Sequence, residues 1–416
     1  MLSKKAKNGV KPSKSIVSGA QPRMFFWLAS LVLGLGLFSL SACREGGTGL
    51  NLGGSSPVLY TKDSSLDGDL SFVGGTNLRA IQRHRFPAQG VDSLYVSTSS
   101  GLYILEYGTL DPEDGPVWLS IPNPLSEVST GRSVAFVLPG GSQQVVAIIR
   151  ASNRIDLYKR NPSTRALTFR MNAPSVSGTY EDLAVANSRS LMAIRSGIAQ
   201  TWNITGGAFV QTPSGGVNTL SFAKRVFAAN FRNREDALED FVILQANGFA
   251  FVRQVGPDSF ANLPSLNFPS GEVASDAVLI DLDGNGRTGI LVATNNGLVY
   301  YSNVSTTSDL VFNRVSLTGA APGQLKDLIR LEAVQANPDS LKDVLAWRAS
   351  GELFFLRAAS VRSLLNSTNA SLPSQATFFS AGSLQGLAPL RFDDPLTEAI
   401  AIVNGTGRLI FLVQAE

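Results

Sequence analysis

The chain has 416 residues, 44% of them hydrophobic and 16% charged, with 35 basic against 32 acidic side chains. That apolar share supplies a large core and excludes intrinsic disorder as the state of most of the chain. One cysteine rules out an intrachain disulfide framework, and one histidine leaves little room for a histidine-ligated metal centre or a Ser-His-Asp machine.

From the N-terminus, the first 23 residues hold Lys4, Lys5, Lys7, Lys11, Lys14 and Arg23 with no acid, and an apolar run over 24–40 follows. Basic then apolar is the order of an export signal. The run closes on Leu40-Ser41-Ala42-Cys43, which resembles the lipobox of bacterial lipoprotein precursors. The resemblance implies a signal peptide over 1–42, cleavage before Cys43, and a membrane partner reached through lipid on the Cys43 sulfur. Two or more acyl chains hold a protein stably on a bilayer, whereas one is marginal. An uncleaved signal anchor is the competing reading, because 17 apolar residues sit at the short limit of a span. The implied localisation is the cell envelope, with the outer membrane if the source is diderm, since Arg44 and not Asp follows Cys43.

Loss of 1–42 removes six basic residues and no acid, leaving 29 basic against 32 acidic. The isoelectric point near 9.0 therefore belongs to the precursor, and no nucleic-acid partner is expected. Residues 43–56 form the lipidated cysteine and a Gly/Ser-rich tether, and a folded domain is expected over 57–416.

Within that domain one unit recurs seven times: an apolar run, a polar turn usually with glycine, and a second apolar or aromatic run. The copies span 93–107, 145–159, 191–203, 241–253, 290–303, 344–357 and 399–413. Each reads as a β-hairpin. A first strand is expected ahead of the hairpin at 134–138, 183–186, 226–229, 278–282 and 328–333, and a last strand at 117–121, 167–171, 209–212, 310–315 and 376–380. Four strands per repeat of about fifty residues predict an all-β, seven-bladed β-propeller of antiparallel blades, with six or eight blades as the alternatives in count. Runs such as 241–244 and 290–293 are apolar without alternation, as strands buried on both faces should be. The seventh copy ends at its third strand, so the segment 69–73 (DLSFV) is expected to pair beside it and close the ring.

In the fifth copy, Asp281-Leu-Asp283-Gly-Asn285-Gly-Arg287-Thr-Gly289 precedes an apolar strand. Short oxygen-bearing side chains at alternate positions can converge on one hard cation, and the glycines permit the sharp turn. The loop resembles the calcium loop of FG-GAP/VCBS propeller repeats, the type found in integrin α-subunits. The resemblance implies Ca2+ held by Asp281, Asp283 and Asn285 with the Arg287 carbonyl, while Gly289 stands where a ninth-position carboxylate is expected. The competing reading is a metal-free turn held by Asx hydrogen bonds. Gln335, Asn337, Asp339 and Asp343 are a degenerate copy, and Asp240 and Asp92 hold the ninth position elsewhere.

His84, between Arg83 and Arg85, reads as a surface or loop residue, and the pairs Glu181-Asp182, Glu235-Asp236, Glu239-Asp240 and Asp393-Asp394 read as solvated turns. The charged stretch 232–239 reads as a surface excursion able to make a contact loop. The expected function is a non-catalytic binding or scaffold domain for an envelope protein or glycan, with no catalytic residue named. The alternative is a carboxylate-dependent polysaccharide hydrolase or lyase. Acidic and aromatic side chains converging at one mouth of a channel would favour that alternative.

Overall fold

The computed structural model describes residues 60–62, 78–84, 92–98, 102–109, 116–120, 132–139, 143–150, 154–163, 166–173, 179–205, 208–211, 223–233, 238–256, 259–317, 325–335, 341–366, 377–380, 384–391, 398–404 and 409–414. The lipobox with Cys43, the tether over 43–56 and the segment 69–73 lie outside them. The described residues form an all-β fold of small antiparallel sheets with one short helix.

Strand β1 (Tyr60–Lys62) comes first in the chain but belongs to the last sheet. Sheet one is β2 (Leu78–His84), β3 (Ser93–Thr98), β4 (Leu102–Thr109) and β5 (Pro116–Ser120). Sheet two is β6 (Ser133–Val137), β7 (Gln144–Ile149), β8 (Ile155–Arg160) and β9 (Leu167–Asn172). Sheet three is β10 (Tyr180–Ala186), β11 (Ser190–Arg195), β12 (Ile198–Thr205) and β13 (Ala208–Gln211). Sheet four is β14 (Ala223–Ala229), β15 (Asp240–Gln245), β16 (Gly248–Gly256) and β17 (Ser259–Asn267). Sheet five is β18 (Ala274–Ile280), β19 (Gly289–Thr294), β20 (Gly297–Asn303) and β21 (Phe312–Ser316). Sheet six is β22 (Leu328–Val334), β23 (Asp343–Arg348), β24 (Glu352–Leu356) and β25 (Thr377–Ser380), with helix α1 (Ala358–Asn366) between its last two strands. Sheet seven is β26 (Leu384–Leu390), β27 (Ala399–Asn404) and β28 (Leu409–Gln414), completed by β1.

The fourth place of sheet seven corrects the expectation for 69–73. Strand β1 takes it, with Tyr60 opposite Gln414 and Lys62 opposite Leu412, so the pairing segment lies about ten residues earlier than the sequence pattern suggested. DLSFV matched the composition of the other outer strands, but an outer strand is half exposed and its composition is permissive. The three residues YTK fill the edge as well as a longer apolar run would.

Burial follows the strand order. The second strands β7, β11 and β19 are buried at every position, because each is covered on both faces by neighbouring sheets. The last strands β9 and β17 alternate toward exposure. Apolar layers join consecutive sheets. Tyr95 and Ile104 of sheet one meet Val146 and Ile148 of sheet two, and Leu157 meets Leu183 and Trp202 of sheet three. Ile194 meets Val226 and Phe241 of sheet four, and Leu291 of sheet five meets Leu331 and Phe354 of sheet six. Leu353 and Phe355 then meet Ile400 and Leu412 of sheet seven. Sheet seven in turn bonds to sheet one, where the Asp92 carboxylate accepts the Arg391 backbone N–H at 2.8 Å.

The layer between sheets four and five is aromatic. The Phe249 ring stands edge-on to Phe268 and to Tyr301 at centroid distances of 5.2 and 5.1 Å, and Phe251 stacks on Phe312 at 5.6 Å. Each such pair contributes about 0.5–1.5 kcal/mol beyond its buried area. Gly248 is required beside this layer, since a Cβ there would overlap the Leu266 carbonyl oxygen of the facing strand.

Six of the seven first strands, β2, β10, β14, β18, β22 and β26, carry a register shift next to their first paired residue. A bulge re-aims the side chain that follows it. The residues on its far side are Ala80, Asp182, Arg225, Asp276, Arg330 and Gly386, so four successive bulged strands present charge in alternating sign.

Candidate functional site

The recurrent bulge builds a chain of alternating charge across the first strands. Arg132, just ahead of β6, lies 3.4 Å from Asp182 of β10, and Arg225 of β14 lies 4.0 Å from the other oxygen of Asp182. Arg225 Nη1 donates to both oxygens of Asp276 at 2.9 and 3.1 Å, and Arg330 of β22 reaches Asp276 at 3.6 Å and Glu332 at 3.1 Å. Asp182 and Asp276 are 3% and 2% exposed. They also stitch neighbouring sheets together, three to four and five to six, because Asp182 accepts the Val226 N–H and Asp276 the Leu331 N–H, each at 2.9 Å. These N–H groups sit on edge strands just past the bulge, where no ladder partner serves them. Burial pushes both carboxyls up to about 6, against the pull of Arg225.

In front of the buried carboxylates lies a cavity of about 220 Å³. Arg83, Arg132, Arg225 and Arg330 line it with the single acid Glu332, and Ile81, Leu387, Ala388 and Pro389 also border it. No aromatic side chain borders it among the described residues. Arg83 also holds Glu398 across to sheet seven, and Glu398 accepts the Gln335 N–H at 2.8 Å from sheet six.

In the candidate calcium loop, Asp281 accepts the N–H groups of Gly284 and Gly286 at 2.7 and 2.9 Å, one on each carboxylate oxygen. Asp283 accepts the Asn285 N–H at 3.3 Å and its side-chain amide at 3.0 Å, and also the Ser302 hydroxyl. The Asn285 carbonyl oxygen accepts the Arg287 N–H at 2.8 Å, and the Arg287 guanidinium donates to the Ser305 carbonyl. Burial is the larger cause that raises the Asp281 carboxyl above its ordinary value, with the hydrogen bond from Asp283 next. The ninth position is closed to a side-chain ligand, because a Cβ on Gly289 would overlap the Tyr300 hydroxyl. That hydroxyl accepts the Leu282 N–H at 3.2 Å. Arg362 of α1 lies over Gly284 and donates to the Leu282 carbonyl at 3.0 Å. The set departs from a calcium loop in lacking the ninth-position carboxylate, for which Tyr300 leaves no space, while Asp281, Asp283 and Asn285 hold the turn through hydrogen bonds.

The fold is similar to that of Sqt1 from Saccharomyces cerevisiae, seen in its crystal structure, with a TM-score of 0.52 at 10% identity. The likeness covers 82% of this chain and 97% of that one, and at this identity it concerns the fold alone. No family model matches the chain, and no curated protein matches it either.

Several residues lie where their local sequence did not put them. His84 is buried at 6% exposure at the end of β2, edge-on to Tyr95 at 4.3 Å, and is no surface residue. Its Nε2 bonds the Ser133 hydroxyl at 2.7 Å, and that hydroxyl donates to Gln82 at 2.8 Å, so the imidazole is the donor. Burial first, and Arg83 second, push its pKa down to about 3. Glu181-Asp182 lies within β10 at the bulge and not in a turn. Arg232 is buried against Asp240, with Nε to Oδ2 at 2.7 Å and Nη2 to Oδ1 at 2.8 Å, which removes it from any contact loop. Glu235, Asp236, Asp393 and Asp394 lie outside the described residues.

The cavity arginines were not singled out from sequence. A signal for two of them was present: Asp182, Arg225, Asp276 and Arg330 share one repeat position in strands at least partly buried, and a charge there needs a partner or a purpose.

Proposed function

We propose that the chain is a lipid-anchored binding protein of the cell envelope, its seven sheets being the blades of a closed β-propeller. What supports closure is that sheet seven is completed by β1 from the start of the domain and bonds to sheet one through Asp92 and Arg391. The family resemblance to FG-GAP/VCBS repeats belongs to this proposal too, with the fifth-copy loop working as a hydrogen-bonded turn and not as a calcium site. The lipid attachment rests on the Leu40-Ser41-Ala42-Cys43 motif.

The observation that carries a binding role is the cavity of Arg83, Arg132, Arg225 and Arg330. Four guanidinium groups from sheets one, two, four and six are fixed by buried carboxylates before any partner arrives, and preorganised donors bind without an ordering cost. Carboxylate-pair hydrolysis needs two acids flanking a scissile bond, and this lining offers Glu332 alone.

The test is fractionation of the native host envelope with crosslinking from the full chain. The expected result is membrane recovery that Cys43→Ser abolishes, and a crosslinked envelope protein or glycan that Arg132→Gln loses. Recovery of the Cys43→Ser chain in the membrane fraction would refute the anchor. Capture unaffected by Arg132→Gln would refute the cavity as the binding site.

A further inference from the structure

We infer that the arginine-lined cavity is a binding site for a small carboxylate; the inference rests on the binding role proposed above. Four features of the site carry it.

The first is unused donor capacity. A guanidinium has five N–H donors. Arg132 donates no hydrogen bond among the described residues and meets Asp182 only as an ion pair at 3.4 Å. Arg83 donates only to Glu398. Arg330 uses Nε and Nη2, both on Glu332 Oε1. Arg225 uses Nη1 alone, and its Nε faces Asp182 at 4.0 Å. The guanidinium N–H groups that these bonds leave over can serve an entering acceptor.

The second is the layering of charge. The compensating carboxylates of Asp182 and Asp276 lie behind the arginines, engaged by Val226 and Leu331 N–H groups, and do not border the cavity. An entering anion therefore meets guanidinium edges first. The third is shape. Paired guanidinium forks match the planar two-oxygen geometry of a carboxylate, and the four arginines surround the cavity from several sheets. The fourth is size. About 220 Å³ is below the range of pockets for drug-sized ligands, which points to a molecule of a few carbons.

The test is isothermal titration calorimetry on the full-length chain in detergent at low ionic strength, with succinate as the probe. Saturable succinate binding is expected, with none for the neutral succinamide. Arg132→Gln should weaken binding by about tenfold, the worth of one lost charge-assisted contact. The Arg132 side chain donates no hydrogen bond among the described residues and its backbone bond to Ile149 survives the substitution, so this variant is expected to fold. Glu332→Gln removes the one lining acid and should tighten binding several-fold, a gain that misfolding cannot produce. Absence of saturable succinate binding, equal affinity in wild type and Arg132→Gln, or sulfate binding as tightly as succinate would each overturn the carboxylate site. If succinate fails while crosslinking still captures an Arg132-dependent partner, this inference falls and the broader binding role stands.

Discussion

Replacing His84 with glutamine should remove a defined part of the acid sensitivity of the fold, and the size follows from its environment. The unfolded chain protonates this imidazole at its ordinary pKa of 6.5, whereas burial holds the folded value down to about 3. Between those values the unfolded state binds more protons, so stability is lost as pH falls from about 6.5 toward 3. From pH 7 to pH 5 the loss is about 2 kcal/mol. Asp182 and Asp276 act in the opposite sense. Their carboxyls are raised from 3.8 to about 6, so the folded state binds the extra protons and gains stability over the same window, about 1 kcal/mol each.

The wild-type curve alone therefore hides the histidine, and the difference between wild type and variant exposes it. Glutamine keeps a side-chain N–H near the Ser133 hydroxyl and cannot titrate. Urea unfolding of both chains at pH 7, 6 and 5 should show wild type losing about 2 kcal/mol relative to His84→Gln. A difference that stays flat within about 0.5 kcal/mol from pH 7 to 5 would refute the buried-neutral reading. Because the chain has one histidine, its single imidazole NMR resonance gives an independent check: no titration is expected in the folded protein above pH 5.

Arg232→Met should destabilise by about 3–5 kcal/mol by leaving Asp240 charged and buried, and adding Asp240→Asn should recover much of that in a double-mutant cycle. Asparagine retains an acceptor for the Gln254 N–H, which Asp240 holds at 2.9 Å. Calcium at about 5 mM should leave the thermal midpoint unchanged, since a ligand stabilises only by binding the folded state. Gly289→Asp supplies the missing ninth-position carboxylate in sequence but should cost about 1–3 kcal/mol and confer no calcium response, because Tyr300 occupies the space. A calcium-dependent rise in the midpoint of either chain, followed by calorimetry, would show the turn to be a metal site after all. Removal of 409–416 deletes β28 and leaves β1 without a partner, so cooperative thermal unfolding should be lost.

The hairpins were legible because buried strands write their burial into composition. Positions 241–244 and 290–293 are covered on both faces and tolerate only apolar residues, so the seven copies stand out. The strands that sequence did not mark are those whose environment is mixed. Strand β17 reads SFANLPSLN, with Pro264 and exposed polar positions, because an outer strand with one free edge accepts proline. Strands β2 and β26 were missed for a different reason: LRAIQRH and LQGLAPL put polar residues or glycine among the apolar ones.

The same mixture explains why the cavity was harder to read than the fold. A charged residue in a strand is ordinarily evidence of a solvated face, and Asp182 or Arg225 taken alone supports that reading. Only their shared position past a bulge, repeated with alternating sign from β10 to β22, distinguishes an internal charge chain from a solvated surface. His84 misled in the same manner, since flanking arginines suggest exposure while the strand's alternation turns the imidazole inward against Tyr95. In a repeat fold the informative unit is therefore the column of equivalent positions and not the local segment. Aligning the first strands by their bulges would have placed Asp182, Arg225, Asp276 and Arg330 in one column and identified two of the four cavity arginines with the buried carboxylates that hold them.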